Sequence, residues 1–350
     1  MSMYRILVVG NPNPEHIGSH LLQAGRSLGL EIVLCDSRIA SNGPRLLVSA
    51  AWRAGRFPLR IERFEQHLLE TCSRESIGLV ICTGIAPVRL RAIEQLHKNG
   101  VTVWNYLTDD PWNRNHYAAW FLKSLPAYDH VFSPRMANLA DLRAAGVKCV
   151  SYLRFAYNPE IHFPDSTEIP GREDSEADVV FVGGADPDRV PFMEALARAG
   201  LKLKLYGGYW GRYSETRNYA CGMADPPMVR RVTGRGRVAM CLVRRSNRDG
   251  HCMRTFEIPA MGGCLLAEST PDHRELFGEE SKAALYFENI PEMVEKTRWL
   301  LDHPVERRRL AAAAHQLITG GRHTYRDRLI EMLQYEIDRS PVNLAVGGKL

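Results

Sequence analysis

Two acids eight residues apart, Asp249 and Glu257, stand in the run DGHCMRTFEIPAMGGCLL (249–266). Glu257 lies in a stretch of helical spacing that leads through a Gly-Gly turn into a short apolar strand. A carboxylate held there can accept the two hydroxyls of a ribose, and the amides of the helix start can face a phosphate. Residue types and spacing therefore point to a nucleotide or a nucleotide sugar. Phe256, Ile258 and Met261 are the packing residues of the same helix, so Glu257 either faces a cleft or is buried at a cost. Gly250 and His251 at the helix start are candidates for contact with the sugar or the phosphates.

Other segments could serve the same ligand. FVGGADPDR (181–189) reads as a strand, a Gly-Gly turn and a helix start. Gly183 and Gly184 permit close backbone approach and Arg189 could pair with a phosphate, although such a turn also serves simply as a turn. Tyr209 in YGGYWGR could stack on a base or cover a sheet edge. Arg244 and Arg245 belong to a basic stretch that is either a solvated face or a positive wall for a diphosphate. In LTDDPWN (107–113), Asp109 and Asp110 could orient an acceptor hydroxyl or act as base, or one of them could cap the following turn. Pro111 holds Asp110 extended. His16, in the loop GNPNPEHIGSH, is a candidate base or acceptor contact.

These groups need a scaffold that brings distant loops together. Strand patterns at 5–10, 31–36, 77–84, 101–112, 128–134 and 147–153 alternate with helical ones at 16–29, 61–75, 87–100 and 135–146. Continuous apolar strands between helices predict a parallel sheet covered on both faces. Residues 154–176 are rich in Pro and charge, lack periodicity, and are expected to be a linker. The alternation restarts at 177, with strands at 177–184, 201–208, 237–243, 264–268 and 282–288, and helices at 190–200, 226–234, 252–263, 291–302, 304–319 and 322–338. The expected division is an acceptor-side domain (1–153), the linker, a donor domain (177–325), and a C-terminal helix and tail (326–350). The fold class is α/β, with two Rossmann-like domains facing an inter-domain cleft, and ligands expected at the carboxyl ends of the strands.

Composition narrows the class. A chain of 350 residues with 45% apolar and 24% charged residues is that of a soluble two-domain protein. The opening MSMYRILVVG goes straight into a strand pattern, no apolar run reaches membrane-spanning length, and a cytoplasmic location is expected. The eight cysteines are scattered without a CxxC pair, so no metal site is expected. The net charge of +5 comes without a nucleic-acid motif, and no nucleic-acid partner is expected.

The segment from 177 to about 328 resembles the CgeB-like (spore-maturation type) glycosyltransferases of the GT-B class, which resemble group 1 glycosyltransferases. The likeness rests on FVGG…R, LYGGYW, DGHCMRTFEIPAMGGCLLAE and HRELFGEES…YFENIPEMVEKTRWLLDHPVERRRLAAAA…HTYRDRL. The resemblance implies a GT-B fold and a hexosyltransferase-type activity that moves a sugar from a nucleoside-diphosphate sugar to an acceptor hydroxyl. It implies no cofactor and no metal, and favours retention of configuration. Glu257 matches the second position of the E-x7-E pattern of retaining families and Asp249 the first, with Asp in place of Glu. Arg254 matches an arginine usual in the CgeB-like group, and Arg189 the basic residue after the first donor-domain strand. The acceptor (a glycan, lipid, protein or small molecule) and the oligomeric state stay open. An epimerase acting on nucleotide sugars and a non-catalytic binding module are the alternatives.

Overall fold

The computed structural model describes residues 5–165 and 177–337. The rest of the expected linker (166–176) and the tail (338–350) lie outside the described residues. Two six-stranded parallel sheets account for the chain's strands among those residues.

The first unit carries β1 (Arg5–Gly10), β2 (Ile32–Asp36), β3 (Ile77–Thr83), β4 (Thr102–Tyr106), β5 (His130–Ser133) and β6 (Val150–Tyr152). Its helices are α1 (Ile17–Ser27), α2 (Arg45–Arg53), α3 (Ile61–Arg74), α4 (Leu90–Lys98), the single turn α5 (Ala119–Leu122) and α6 (Met136–Ala144). Leu7, Val8, Val9, Val80 and Ile81 are fully buried, because helices cover both faces of the sheet. The stretch 37–60 has no clear period in the sequence; it forms a 3-10 turn and α2, none of whose residues is buried.

The second unit runs β7 (Val179–Val182), α7 (Val190–Arg198), β8 (Leu203–Tyr206), β9 (Ala220–Gly222), α8 (Pro226–Arg235), β10 (Val238–Cys241) and α9 (Met253–Ala260). It continues with β11 (Leu265–Glu268), α10 (Pro271–Phe277), β12 (Leu285–Phe287), α11 (Ile290–Asp302), α12 (Pro304–Gly320) and α13 (Tyr325–Ile337). The sequence reading lacks β9 and α10. β9 is a three-residue edge strand with every residue exposed, so no apolar alternation marks it. No helix among the described residues is long and apolar enough to cross a membrane.

The described part of the expected linker is not a solvated tether. Phe155, Ala156, Tyr157, Asn158 and His162 are buried. Tyr157 forms a bridge with Thr324, donating from its amide to His323 O (3.0 Å) and accepting from Tyr325 N (3.1 Å). Arg328 Nε donates to the Arg154 carbonyl at 2.9 Å. From this anchor α13 returns to the first unit, where the Tyr325 ring stacks on His20 at 4.7 Å. One buried cluster accordingly joins Ile6, Leu21 and Tyr106 of the first unit to Phe256, Ala267 and Tyr325.

Candidate functional site

Strand order decides where a ligand can enter. The first sheet is ordered β2-β1-β3-β4-β5-β6 and the second β9-β8-β7-β10-β11-β12. The chain reverses direction of build-up between β1 and β3, and again between β7 and β10. At such a switch point the loops leave in opposite directions and open a crevice at the strands' carboxyl ends. Here both crevices open into one cleft of about 500 Å³. His16, Thr83, Gly84, Asp109 and Arg135 line it from the first unit, and Arg189, Arg244, Asp249, Cys252 and Arg254 from the second.

Four guanidinium groups reach this cleft. Arg135 begins α6 and is 2% exposed. Its Nε donates to Asp249 Oδ1 at 2.5 Å, while its buried Nη1 has no hydrogen-bond partner. Arg189 Nη1 donates to the Gly184 carbonyl at 3.2 Å. Its Nε lies 3.6 Å from Asp186 Oδ2, and Arg244 Nε lies 3.7 Å from the same oxygen. One carboxylate thus serves two cations. Arg254 Nε donates to the Val182 carbonyl at 3.0 Å, and its other end forms an ion pair with Glu257. Burial holds the Arg254 guanidinium below the ordinary arginine value, and the charge of Arg189 acts in the same direction. Buried and partly buried cations that share anions, with the Arg135 Nη1 left free, are suited to a multiply charged oxyanion.

Local geometry explains the turns beneath them. Gly183 donates to Tyr206 O at 2.8 Å, and its own carbonyl accepts from Trp210 Nε1 at 2.8 Å. A Cβ on Gly207, at φ +129°, would stand 2.4 Å from Gly183 O. Gly250 is equally constrained, since a Cβ there would meet Asp272 Oδ2 at 2.3 Å.

Several expected assignments change. Asp110 does not line the cleft. It is 1% exposed, accepts from Trp112 N at 3.0 Å, and pairs with Arg248 at 2.6 Å (Nε to Oδ2). Its ion pair with Arg248 turns it toward the second unit, and its neighbour Asp109 faces the cleft instead. Glu257 is 1% exposed and stands behind Arg254, with Oε1 at 3.6 Å from His162 Nε2. Asp249 does line the cleft, but its carboxylate is taken by Arg135 and by the Arg244 amide at 3.3 Å. Burial raises its pKa against the pull of Arg135.

His251 is buried and partnered within the protein. Its Nδ1 donates to Asp272 Oδ2 at 2.8 Å and its Nε2 accepts from Phe155 N at 3.1 Å, so both ring nitrogens are occupied in a neutral ring. Burial lowers its pKa, consistent with that state. Arg245 points away from the cleft to Glu268 at 3.0 Å. Tyr209 sits at φ +75° on the surface, 59% exposed, beneath the Arg212 guanidinium at 4.2 Å. His16 holds its expected place on the first-unit wall, about half exposed. Arg135 was not among the candidates from sequence. The signal was present, since Pro134 and Arg135 directly follow the strand HVFS, where a basic residue lies past a carboxyl end.

Residues 189–334 match the family model described as Glycosyl transferase-like. No curated protein sequence matches the chain. Among solved structures, sucrose-phosphate synthase from Thermosynechococcus elongatus superposes with a TM-score of 0.69 at 11% identity, covering 95% of this chain and 98% of that one. Anabaena Alr3699/HepE in complex with UDP and glucose gives a TM-score of 0.68 at 10% identity, over 96% of this chain and 100% of that one. A putative UDP-N-acetylglucosamine 2-epimerase from Listeria monocytogenes gives 0.56 at 13% identity, over 98% and 99%. The fold is the two-domain α/β arrangement of the GT-B class.

Proposed function

We propose that the protein is a cytoplasmic glycosyltransferase of the CgeB-like kind, moving a hexosyl group from a nucleoside-diphosphate sugar to an acceptor hydroxyl. The observation that carries this reading is the convergence of Arg135, Arg189, Arg244 and Arg254 at the carboxyl ends of both sheets. When the sugar–phosphate bond breaks, negative charge builds on the departing diphosphate. Fixed guanidinium groups in a partly desolvated cleft stabilise that charge without reorganising, which is the role a metal plays elsewhere. The donor is itself the substrate, and the reaction needs no cofactor.

The first unit supplies the acceptor side. Asp109 and His16, which line the cleft from that unit, are its acceptor-side groups in this reading. In a retaining reaction the departing phosphate oxygen accepts the acceptor's proton, and Asp109 and His16 only orient the hydroxyl. An inverting reaction would need one of them as base. The fold shared with the UDP-N-acetylglucosamine 2-epimerase-like protein of Listeria monocytogenes supports a second reading, in which the sugar is altered on the nucleotide with no acceptor.

Thermal stabilisation across UDP-, GDP-, dTDP- and CMP-sugars is the first test, because a ligand of the folded state raises the melting temperature. At least one should stabilise, and slow release of free sugar should follow without acceptor. An epimerised nucleotide sugar would establish the second reading, and no stabilisation by any of them would sink both. Arg189→Ala should weaken the nucleoside diphosphate by roughly tenfold or more while the nucleoside loses far less. Equal losses in calorimetry would remove Arg189 from the phosphate site.

A further inference from the structure

Between Asp36 and Glu62 the chain holds Arg38, Arg45, Arg53, Arg56 and Arg60 and no carboxylate. Arg38 is paired with Asp36 at 2.8 Å; the other four form no ion pair among the described residues. The same stretch carries large apolar groups in the open. Leu46 is 85% exposed, Leu47 56%, Trp52 46% and Phe57 37%. α2 places Arg45, Ser49 and Arg53 on one stripe at i, i+4 and i+8, and fills the rest of its circumference with Leu, Val, Ala and Trp. No residue of this helix is buried: Leu46 and Leu47 stand open to solvent, and Trp52 is covered only in part, by the Arg56 guanidinium at 5.3 Å.

We propose that residues 42–60 dock the protein onto an anionic phospholipid bilayer, α2 lying in the headgroup plane. The charge pattern and the apolar groups select this occupant together. Arginines flanking exposed Leu and Trp on a short helix match the boundary between anionic headgroups and acyl chains. A nucleic acid would take the arginines and leave Leu46 and Leu47 in water. A second copy of the chain, packed two-fold on the same face, would bring Arg45 and Arg53 of both copies together with no acid in the segment to neutralise them.

The segment is anchored at its ends and beside the cleft. Trp120 Nε1 donates to Arg56 O at 3.1 Å, and Arg60 N to Ala40 O at 2.7 Å. Arg38 Nη1 donates to Asn13 Oδ1 at 2.8 Å, in the loop that also carries His16. Ser37, one residue past β2, lines the cleft. A docked bilayer therefore meets the first-unit wall. If the transferase reading holds, on which this clause rests, the acceptor hydroxyl belongs to a lipid or is lipid-linked.

The test is flotation of the full chain with vesicles of phosphatidylcholine alone or with equal parts phosphatidylglycerol, at about 0.1 M salt. Binding is expected only with phosphatidylglycerol, and it should weaken as salt rises. The triple variant Leu46→Gln/Leu47→Gln/Trp52→Gln and the double variant Arg45→Gln/Arg53→Gln should each lower partitioning about tenfold or more. Their melting temperatures should not move, because each substituted residue is exposed. Absence of binding to the anionic vesicles, or variants that bind like the parent, would overturn the proposal. So would a parent that elutes as an oligomer in gel filtration and variants that elute as monomers, which would make the face a contact between copies. Nucleotide-sugar stabilisation, read in the same variants, should persist, so failure of docking and failure of the transferase reading remain distinguishable.

Discussion

Glu257 shows how far residue type and spacing carry. The acid, its helix and the cleft beyond it were all legible in DGHCMRTFEIPAMGGCLL. What was not legible is that Arg254, one turn earlier on α9, comes between Glu257 and the cleft and pairs with it. The geometry makes Glu257 the group that positions a cleft cation. Glu257→Gln should therefore lose roughly 10- to 100-fold in affinity for UDP, the worth of a charge-assisted bond. The loss should be the same for 2′-deoxy-UDP. Calorimetry with both nucleotides checks this, and a loss confined to UDP would return Glu257 to the ribose hydroxyls. Asp109 and Asp110 make the same point. The chain bends at Asp109, and the carboxylate of Asp110 is held away from the cleft by Arg248, 138 residues away.

At the level of elements, apolar runs between helical periods predicted most strands and helices, because burial on both faces leaves a continuous signature. The misses are the exposed edge strand β9 and helix α2, none of whose residues is buried, and the seven-residue α10, which buries His273 and Phe277 but is too short to show a helical period. The loop from β10 to α9 is set by packing that periodicity does not encode. Asp272 is held by His251 Nδ1 at 2.8 Å and Tyr152 Oη at 3.0 Å, so it has little room to yield to a Cβ at residue 250. Gly250→Ala should cost about 1–3 kcal/mol, lowering the melting temperature by several degrees at about 2–4 °C per kcal/mol. Its nucleotide affinity should fall as well, since Asp249 moves with the loop. An unchanged melting curve would mean that the Asp272 side chain gives way.

Over the whole molecule, the two units are pinned together by polar bridges and by the returning α13. Asn113 Nδ2 donates to Asn247 Oδ1 at 2.6 Å, and Arg248 spans to Asp110, Asn138 and Asp141. His20, buried against α13, has its pKa pushed down to about 3, chiefly by burial; burial likewise takes His273 to about 4. Both rings fold neutral. Above their unfolded value of about 6.5 they cost nothing, and below it the unfolded chain binds protons that the folded chain refuses. Stability should therefore fall as pH drops from about 6.5 toward 4, at about 2–3 kcal/mol per pH unit for the pair. Urea midpoints at about pH 7, 6 and 5 measure the slope, and a flat profile would show that these rings protonate freely in the native state. The sequence by itself determined the two α/β units and the chemistry of the donor-side residues, because burial patterns and turn residues are local properties of the chain. Only the tertiary structure decided which charges face the cleft. Whether Arg135, Asp109 and Arg254 meet a ligand, while Asp110, His251 and Arg245 are spent on internal partners, depends on contacts between residues far apart in sequence. No local pattern fixes those contacts.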